Sequence, residues 1–218
     1  MFPFPFGFLG SAAPPPELEL IDNDFAMEFN GTDEYISAGN PTELQFTGDF
    51  SISGWFKCTG STYKRIVSKD NGSGGSGDRC YYVQVQNTGE LKAGIFSGGS
   101  NQQNASGTTV NDDNWHHFVF TFENGVGTKL YIDNGTPSTD SVVSAIDNDP
   151  ADFEIGRKGN NTNLFAGDID EIAAWNRVLS ADDVQRIYNA TNDNPGKTAN
   201  LWSAGLNTGL VYWNRMGD

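Results

Sequence analysis

Cysteine, histidine and positive charge are all scarce in this sequence. Its 218 residues include 2 Cys, 2 His and 13 Lys or Arg. Cys58 and Cys80 cannot build a disulfide framework, and neither has the close Cys or His neighbours that a zinc site requires. The sequence leaves open whether these two cysteines pair with each other or stay free. No run approaches the roughly 20 apolar residues of a membrane-spanning helix, so no membrane insertion is expected.

Negative charge predominates and excludes one class of partner. The 28 Asp and Glu residues give a formal net charge of -15, which repels nucleic-acid phosphates, so nucleic-acid binding is not expected. No basic residue precedes position 57, after which a basic stretch contains Lys57, Lys64, Arg65, Lys69 and Arg79. This stretch is either a solvated face or a patch that meets the acidic N-terminal quarter of a neighbouring subunit.

The pattern of apolar residues predicts an all-β chain. Clusters rich in Gly and Asn separate short runs in which apolar and polar side chains alternate, as in strands that face a core on one side. The predicted strands cover residues 26–37, 50–58, 81–86, 91–96, 115–122, 129–133, 152–156, 168–175 and 210–213. Many short strands at this spacing favour a two-sheet sandwich.

The same alternation predicts which side chains enter the core of the sandwich. The predicted core stripes are Phe50, Ile52, Phe56, Phe118, Phe120, Phe122, Leu130 and Ile132. The alternate positions of one strand, expected on its solvent side, are Ser51, Ser53, Trp55 and Lys57.

One helix is predicted among the strands, over residues 181–189. Ser180 can accept hydrogen bonds from the amides of the first turn, and two aspartates stand at the positive end of the helix dipole. Val184, Ile187 and Tyr188 recur at helical spacing.

Residues 1–16 are predicted to form an extended N-terminal arm, separate from a domain at residues 17–218. Phe2, Phe4, Phe6 and Phe8 alternate along a segment that prolines hold extended, so one side would carry four rings that need a partner surface. The segment has no basic residue before its apolar part and is not expected to be a signal peptide. We expect it to dock the domain onto sister subunits or another component of an assembly.

Seven motifs, in a characteristic order, carry a family resemblance. They read FNGTDEYI (29–36), FSISGWF (50–56), IVSK (66–69), WHHFVFT (115–121), LYIDNG (130–135), IGR (155–157) and FAGDIDEI with WNRVLS (165–172, 175–180). Over about residues 27–189 the chain resembles the laminin-G-like and pentraxin jelly rolls of the concanavalin A-like superfamily. The resemblance implies two antiparallel sheets packed face to face, with segment 26–29 paired beside segment 210–213.

Some members of this superfamily cleave β-glucans with carboxylates at positions i, i+2 and i+4 of one strand face. Here Asp168 and Asp170 share a face, but simple alternation points Glu171 the opposite way and puts Ile172 where the third carboxylate would stand. The two adjacent histidines face opposite ways and are interpreted as packing and hydrogen-bonding residues at the start of a strand. We therefore expect a non-enzymatic protein with no catalytic residues.

Calcium is the metal ion that the resemblance suggests. Asp70 and Asn71 fall where pentraxins place a pair of oxygen ligands, the donor type that calcium needs. The second ligand loop, acidic in pentraxins, reads Gly-Arg-Lys-Gly-Asn-Asn at 156–161. Its two cationic side chains would repel a bound calcium ion. No cofactor is expected to be required, and calcium at Asp70 and Asn71 stays a candidate.

Glycan binding is the other activity that the resemblance implies. In this fold it uses rim loops or an open sheet face, where aromatic rings stack on sugars and amides bond hydroxyl groups. The candidate residues, drawn from the sheet and from loops at 97–103 and 159–163, are Trp55, Tyr82, Gln84, Asn101, Asn160 and Asn161. The competing interpretation is that Trp55 is covered by a loop or a neighbour and that the asparagines only shape turns.

Two functions remain at this point. The first is a structural or adhesion protein of a virus particle, in which the arm docks on other virion proteins or sister subunits and the domain projects outward. The closing residues 212–218 resemble those of small laminin-G-like proteins carried by bacteriophages, which implies a virion location and a homo-oligomer or larger assembly. The alternative is a free lectin that recognises a polysaccharide of the host's cell surface or of the environment, with the arm irrelevant to binding.

Overall fold

The computed structural model describes residues 17–72, 78–141, 145–203 and 205–218. The N-terminal arm with Phe2, Phe4, Phe6 and Phe8 lies outside the described residues, so its docking role stays a prediction. Among the described residues, no helix is long and apolar enough to cross a membrane.

The elements follow one another in a nearly unbroken series of strands. They are β1 (Leu20–Asp22), β2 (Met27–Asn30), β3 (Ile36–Gly39), a 3₁₀ turn (Thr42–Leu44), β4 (Phe50–Cys58), β5 (Lys64–Asp70), β6 (Arg79–Val85), β7 (Glu90–Ser97), β8 (Ser100–Thr109), β9 (His116–Glu123), β10 (Gly127–Ile132), β11 (Ser138–Asp140), β12 (Phe153–Ile155), β13 (Ala166–Trp175), α1 (Ala181–Asn192), β14 (Lys197–Ala199) and β15 (Leu210–Asn214).

Two antiparallel sheets form the sandwich. The six-stranded sheet has the order β3-β12-β5-β6-β7-β8. The seven-stranded sheet has the order β11-β10-β9-β4-β13-β15, with β2 also paired to β13, and β1 and β14 form a small separate ladder. The prediction of an all-β, two-sheet antiparallel jelly roll with a helix in its C-terminal half is confirmed.

Strands β2 and β15 lie in line along one edge of β13 and do not pair with each other. β2 pairs with residues 166–169 of β13, whereas β15 pairs with residues 172–175. The ten residues of β13 are long enough to hold both short strands, and a bulge between Asp170 and Ala173 separates the two ladders. The predicted pairing of the first segment with the last was therefore wrong, although both occupy the same sheet edge.

The main core fills the space between the sheets and contains the predicted stripes. Phe50, Ile52, Phe56, Phe118, Phe120, Phe122 and Leu130 are buried in it, and Ile132 packs against it. Gly54 permits this packing, because a Cβ there would lie 2.3 Å from Ile172 Cδ1 and 3.0 Å from the Phe118 ring. A core built from these rings is the main stabilising term of the fold.

A second hydrophobic core lies on the outer side of the seven-stranded sheet. Trp175, on that side of β13, is fully buried under α1 and the segment that follows it, and Val184 and Ile187 of the helix pack in the same cluster. Ser51, Ser53 and Trp55 were expected to face solvent but are buried here. The prediction of a solvated outer face was wrong at these positions, because the helix and the C-terminal segment cover it.

Helix α1 begins where the sequence predicted and runs three residues further. Ser180 Oγ accepts from the Asp183 amide at 3.1 Å, and the Asp183 carboxylate accepts from the Ser180 amide at 3.1 Å. This reciprocal capping box satisfies two amides that the first turn leaves without partners. The predicted end at residue 189 was early, since the helix continues to Asn192.

The basic stretch is neither a solvated face nor a surface patch over most of its length. Lys64, Arg65 and Lys69 of β5 are buried. Lys69 Nζ donates to Asn40 Oδ1 at 2.8 Å and to the carbonyls of Asp149 and Ala151 at 2.7 Å. Three acceptors replace the water that this ammonium loses, so the charge serves to join loops to the sheet.

The strands differ from the sequence prediction in several places. β1, β5, β11 and β14 lie where no strand was predicted. Residues 100–109 form the edge strand β8, where a loop was expected at 97–103. The predicted strand 26–37 divides into β2 and β3 at a turn in which Gly31 has a φ of 71°. Cys58 and Cys80 are both free and buried, and burial raises the pKa of the Cys58 thiol to about 11.

Candidate functional site

The outer face of the six-stranded sheet carries a polar cleft of about 190 Å³. Period-two alternation sends one set of side chains of β5 to β8 into the core and the other set to this face. The cleft is lined by Arg65, Asp70, Arg79, Tyr82, Gln84, Gln86, Phe96, Asn101, Gln103 and Lys158. The predicted residues Tyr82, Gln84 and Asn101 thus come together, with Asp70 from the predicted calcium pair.

Tyr82 on β6 stands at the centre of this cleft. Asn101 Nδ2 donates to its hydroxyl at 3.1 Å, and the hydroxyl lies 3.4 Å from Gln103 Oε1. Burial raises the pKa of the Tyr82 phenol, which keeps it a neutral hydrogen-bonding group. Gly94 on β7 makes room for this arrangement, because a Cβ there would lie 2.7 Å from the Gln102 carbonyl oxygen and 3.0 Å from the Tyr82 ring.

Arg65 on β5 packs its guanidinium over the Tyr82 ring, at 4.1 Å from Cζ to the ring centroid. Its Nη2 donates to Asp70 Oδ2 at 3.0 Å, while Nε and Nη1 are buried without a hydrogen-bond partner. Burial lowers the pKa of Arg65 to about 10, so the group stays charged at neutral pH. Sequence reasoning missed this residue, because strict alternation from Ser68 would put Arg65 on the core side, and the irregularity between Arg65 and Val67 brings it to the outer face.

Asp70 is surrounded by cations. Besides Arg65, Arg79 Nε lies 3.5 Å from Asp70 Oδ1, Lys158 Nζ lies 3.9 Å from Oδ2, and the Gly72 amide donates to Oδ1 at 2.9 Å. Three positive side chains around one carboxylate do not fit a calcium ion, which would need several anionic or carbonyl oxygens and would be repelled by these charges. The candidate calcium site at Asp70 and Asn71 is therefore not supported by the donor set.

The remaining sequence candidates border the cleft. Asn163 Nδ2 donates to Gln84 Oε1 at 3.0 Å. Asn160 and Asn161 lie in the short hairpin at residues 158–162, where Asn160 Oδ1 accepts from a threonine hydroxyl and Asn161 Oδ1 accepts from Arg157. These two asparagines shape the hairpin that carries Lys158, so their own amides do not line the cleft.

Trp55 lies on the other sheet, away from Tyr82. Its ring stacks on Tyr188 of α1, with centroids 5.6 Å apart and planes 15° apart, and contacts His117 at 4.9 Å. Trp55 is thus covered by a neighbouring element, as the competing interpretation held. Its edge lines a separate cavity of about 410 Å³, together with Trp115 and Asp170.

The acidic pair of β13 sits at the bulge. Glu171 has a φ of 52°, so strict alternation fails there and Ile172 returns to the main core. The expectation that Ile172 shares the face of Asp170 was wrong for this reason. Burial raises the pKa of Asp170 to about 6 and that of Glu171 to about 7.

Both carboxylates of this pair hold neighbouring segments in place. Asp170 accepts from Asn23 Nδ2 at 2.9 Å, and Glu171 accepts from Trp213 Nε1 at 2.6 Å and from Arg215 Nε at 3.2 Å. These contacts join the N-terminal and C-terminal segments to β13.

The two histidines have the structural roles that the sequence suggested. His116 lies between Asp133, at 2.7 Å from Nδ1, and Asp112, at 3.0 Å from Nε2, and these hydrogen bonds raise its pKa. His117 is buried beside Trp55, and burial lowers its pKa to about 4. They therefore do not act on one substrate together.

Comparisons with known proteins give the family. A laminin G family model, described as concanavalin A-like lectin/glucanases superfamily, matches residues 30–185. The chain is 29% identical over 192 residues to adhesion G-protein coupled receptor V1 of Danio rerio, a match that covers 77% of this chain and 3% of the receptor.

Solved structures give the same fold. A putative carbohydrate binding protein from Bacteroides ovatus superposes with a TM-score of 0.65 at 15% identity, covering 94% of this chain and 53% of that one. A heptameric SAP-like pentraxin from Limulus polyphemus superposes with a TM-score of 0.56 at 14% identity, covering 87% and 94%. The chain thus spans about half of the Bacteroides protein and a small fraction of the receptor. The family model covers well over half of the sequence, and the protein belongs to the concanavalin A-like lectin/glucanases superfamily.

Proposed function

We propose that this protein is a non-enzymatic adhesion module that binds carbohydrate in the cleft on the outer face of the six-stranded sheet. The observation that carries the proposal is the set of polar side chains around the Tyr82 ring. Asn101, Gln103 and Gln84 present amides around the Tyr82 hydroxyl, and polar groups of this kind recognise sugar hydroxyls. The Tyr82 ring is itself buried and packs against Arg65, so it supports these groups and offers little surface of its own to a sugar. The opposite sheet is covered by α1 at Trp175, and the cavity beside Trp55 lies at the edge of that covered region.

The chemistry of the cleft favours binding over hydrolysis. Glycoside hydrolysis needs two carboxyl groups on either side of the scissile bond. Among the described residues that line the cleft, Asp70 is the only carboxylate, and it is paired with Arg65. Two similar proteins, an adhesion receptor and a putative carbohydrate binding protein, bear names that agree with a binding role.

A glycan array tests this function. The wild type is expected to bind a subset of glycans, and Tyr82→Ala is expected to weaken that binding about tenfold, because it removes the hydroxyl between Asn101 and Gln103 and the ring against which Arg65 packs. Tyr63→Ala is the matched control, since Tyr63 is exposed and lies outside the cleft. Binding that Tyr63→Ala reduces as much as Tyr82→Ala, or an array without any hit, would refute the proposal.

Calcium removal is a second part of the same experiment. Because Asp70 is already paired with cations, glycan binding is expected to be unchanged when EDTA replaces calcium in the buffer. Loss of binding in EDTA would show that another set of ligands holds the ion.

We further propose that the arm at residues 1–16 docks the module on a virion, through other virion proteins or sister subunits. The alternation of Phe2, Phe4, Phe6 and Phe8 supports this part, and no contact of the arm is described. Replacing the four phenylalanines by serine is expected to abolish association, measured by light scattering and by co-sedimentation with particles, while glycan binding stays. An unassociated wild-type monomer that still binds glycans would favour the free lectin instead.

A further inference from the structure

We propose that the cleft selects glycans that carry an anionic group, a carboxylate or a sulfate. This inference rests on the proposed function, because it names the chemical class of the ligand at the same site. It is carried by three cationic side chains around Tyr82, one of which, Arg65, has two guanidinium nitrogens without a hydrogen-bond partner.

The local charge of the cleft is opposite to that of the whole protein. Among the described residues, its charged lining side chains are Arg65, Arg79 and Lys158 against Asp70, a net charge of about +2. The chain as a whole carries -15. Glu154, the nearby carboxylate of β12, is paired with Arg157 at 2.6 Å and does not line the cleft. The positive cleft is therefore a local feature that the composition does not predict.

Arg65 is the clearest sign that a ligand completes this cluster. Its side chain is 5% exposed, and only Nη2 among its guanidinium nitrogens has a hydrogen-bond partner. A buried charge without its full set of hydrogen bonds is costly, and Asp70 must be shared among three cations. A second negative group in the cleft would lower this cost.

Arg79 and Lys158 are placed to contact such a group directly. Both are more exposed than Arg65, with side chains 27% and 17% exposed. The Arg79 guanidinium packs over the Phe96 ring at 5.4 Å, and its Nε also lacks a hydrogen-bond partner. Lys158 Nζ stays 3.9 Å from Asp70, beyond hydrogen-bond distance. An anion between them would gain charge-assisted hydrogen bonds.

Two matched pairs of polymers test the inference on the full chain. Polygalacturonate is compared with its fully methyl-esterified form, and dextran sulfate with dextran, by titration calorimetry in about 0.15 M salt, where distant charges are screened over roughly 8 Å. At least one charged polymer is expected to bind about tenfold more tightly than its neutral partner. The pair that shows the preference identifies the carboxylate or the sulfate as the group bound.

Single charge removals assign the preference to the cleft. Arg79→Gln and Lys158→Gln are each expected to weaken binding of the preferred charged polymer by about five- to tenfold. Lys129→Gln is the matched control. Lys129 is exposed on β10 of the other sheet, and its substitution removes the same charge. It is expected to leave the affinity unchanged, and thermal melts check that all three variants fold.

Two outcomes would overturn the inference in distinguishable ways. If only neutral polymers or neutral array glycans bind, or if Lys129→Gln weakens binding as much as Lys158→Gln, anion selection is refuted and carbohydrate binding stands. If no polymer and no array glycan binds, the proposed function and this inference both fail.

Discussion

The two sheets of the sandwich differ in what covers their outer faces. The seven-stranded sheet is covered by α1 and the C-terminal segment, which bury Trp175 and create a second dry core. The six-stranded sheet leaves its outer face to polar and cationic residues around Tyr82. Both faces come from strands with the same period-two pattern, so the difference depends on what packs against each sheet. One face contributes stability, and the other carries the proposed binding cleft.

The strongest test of this contrast removes the centre of the covered face. Trp175→Ala would delete a fully buried ring and the hydrogen bond from its Nε1 to the Leu206 carbonyl at 2.7 Å. We expect the free energy of unfolding to fall by about 3–5 kcal/mol. Urea denaturation measures the change.

Trp202→Ala is the control for that variant, because Trp202 is 61% exposed. It is expected to alter the free energy of unfolding by less than about 0.5 kcal/mol. Equal losses in the two variants would mean that the second core does not stabilise the fold.

The pH dependence of stability tests the acidic pair of β13, which joins the N-terminal and C-terminal segments to the covered sheet. The folded-state pKa of Asp170, about 6, lies above its ordinary value of 3.8 because of burial. The folded state therefore binds more protons between about pH 4 and 6, and the free energy of unfolding is expected to fall as the pH rises through this window. The decrease from Asp170 alone is about 3 kcal/mol.

Asp170→Asn is expected to reduce that slope, with the remainder contributed by Glu171, whose pKa burial raises to about 7. Urea denaturation at a series of pH values measures the slope. Asp168→Asn is the control on the same strand, since the Asp168 carboxylate is more exposed and pairs with Lys57 at 2.8 Å. A wild-type slope that Asp170→Asn leaves intact would contradict the role given to burial.

A smaller effect is expected from crowding the open face. Gly94→Ala would bring a Cβ within 2.7 Å of the Gln102 carbonyl oxygen and 3.0 Å of the Tyr82 ring. We expect a loss of about 1–2 kcal/mol in the free energy of unfolding. The glycan affinity is expected to fall by a larger fraction than the free energy of unfolding, because the crowding is centred on the cleft. Gly48→Ala, where the new methyl meets no atom within 4 Å, is expected to leave both unchanged. Unaltered glycan binding in Gly94→Ala would argue against the cleft as the site.

The candidate site could be predicted only in part. Tyr82, Gln84 and Asn101 were identified because aromatic and amide side chains on a strand suggest sugar contacts, and the structure brings them together. Arg65 and Lys158 were missed, since the charge of a side chain does not reveal that it lies beside Tyr82 when 17 or more residues separate the two in the chain. For Trp55 the sequence left both interpretations open, because nothing in its strand shows that Tyr188 covers it.

The sequence by itself determined the all-β sandwich, the phenylalanine stripes of its core and the capped start of α1, because these follow from local periodicity and from neighbours a few residues apart. Tertiary structure alone decided which outer face is covered, where the bulge at Glu171 breaks the alternation, and that Arg65, Arg79 and Lys158 surround one carboxylate. The physical reason is that packing and electrostatic interactions act over a few ångströms in space, whatever the separation along the chain.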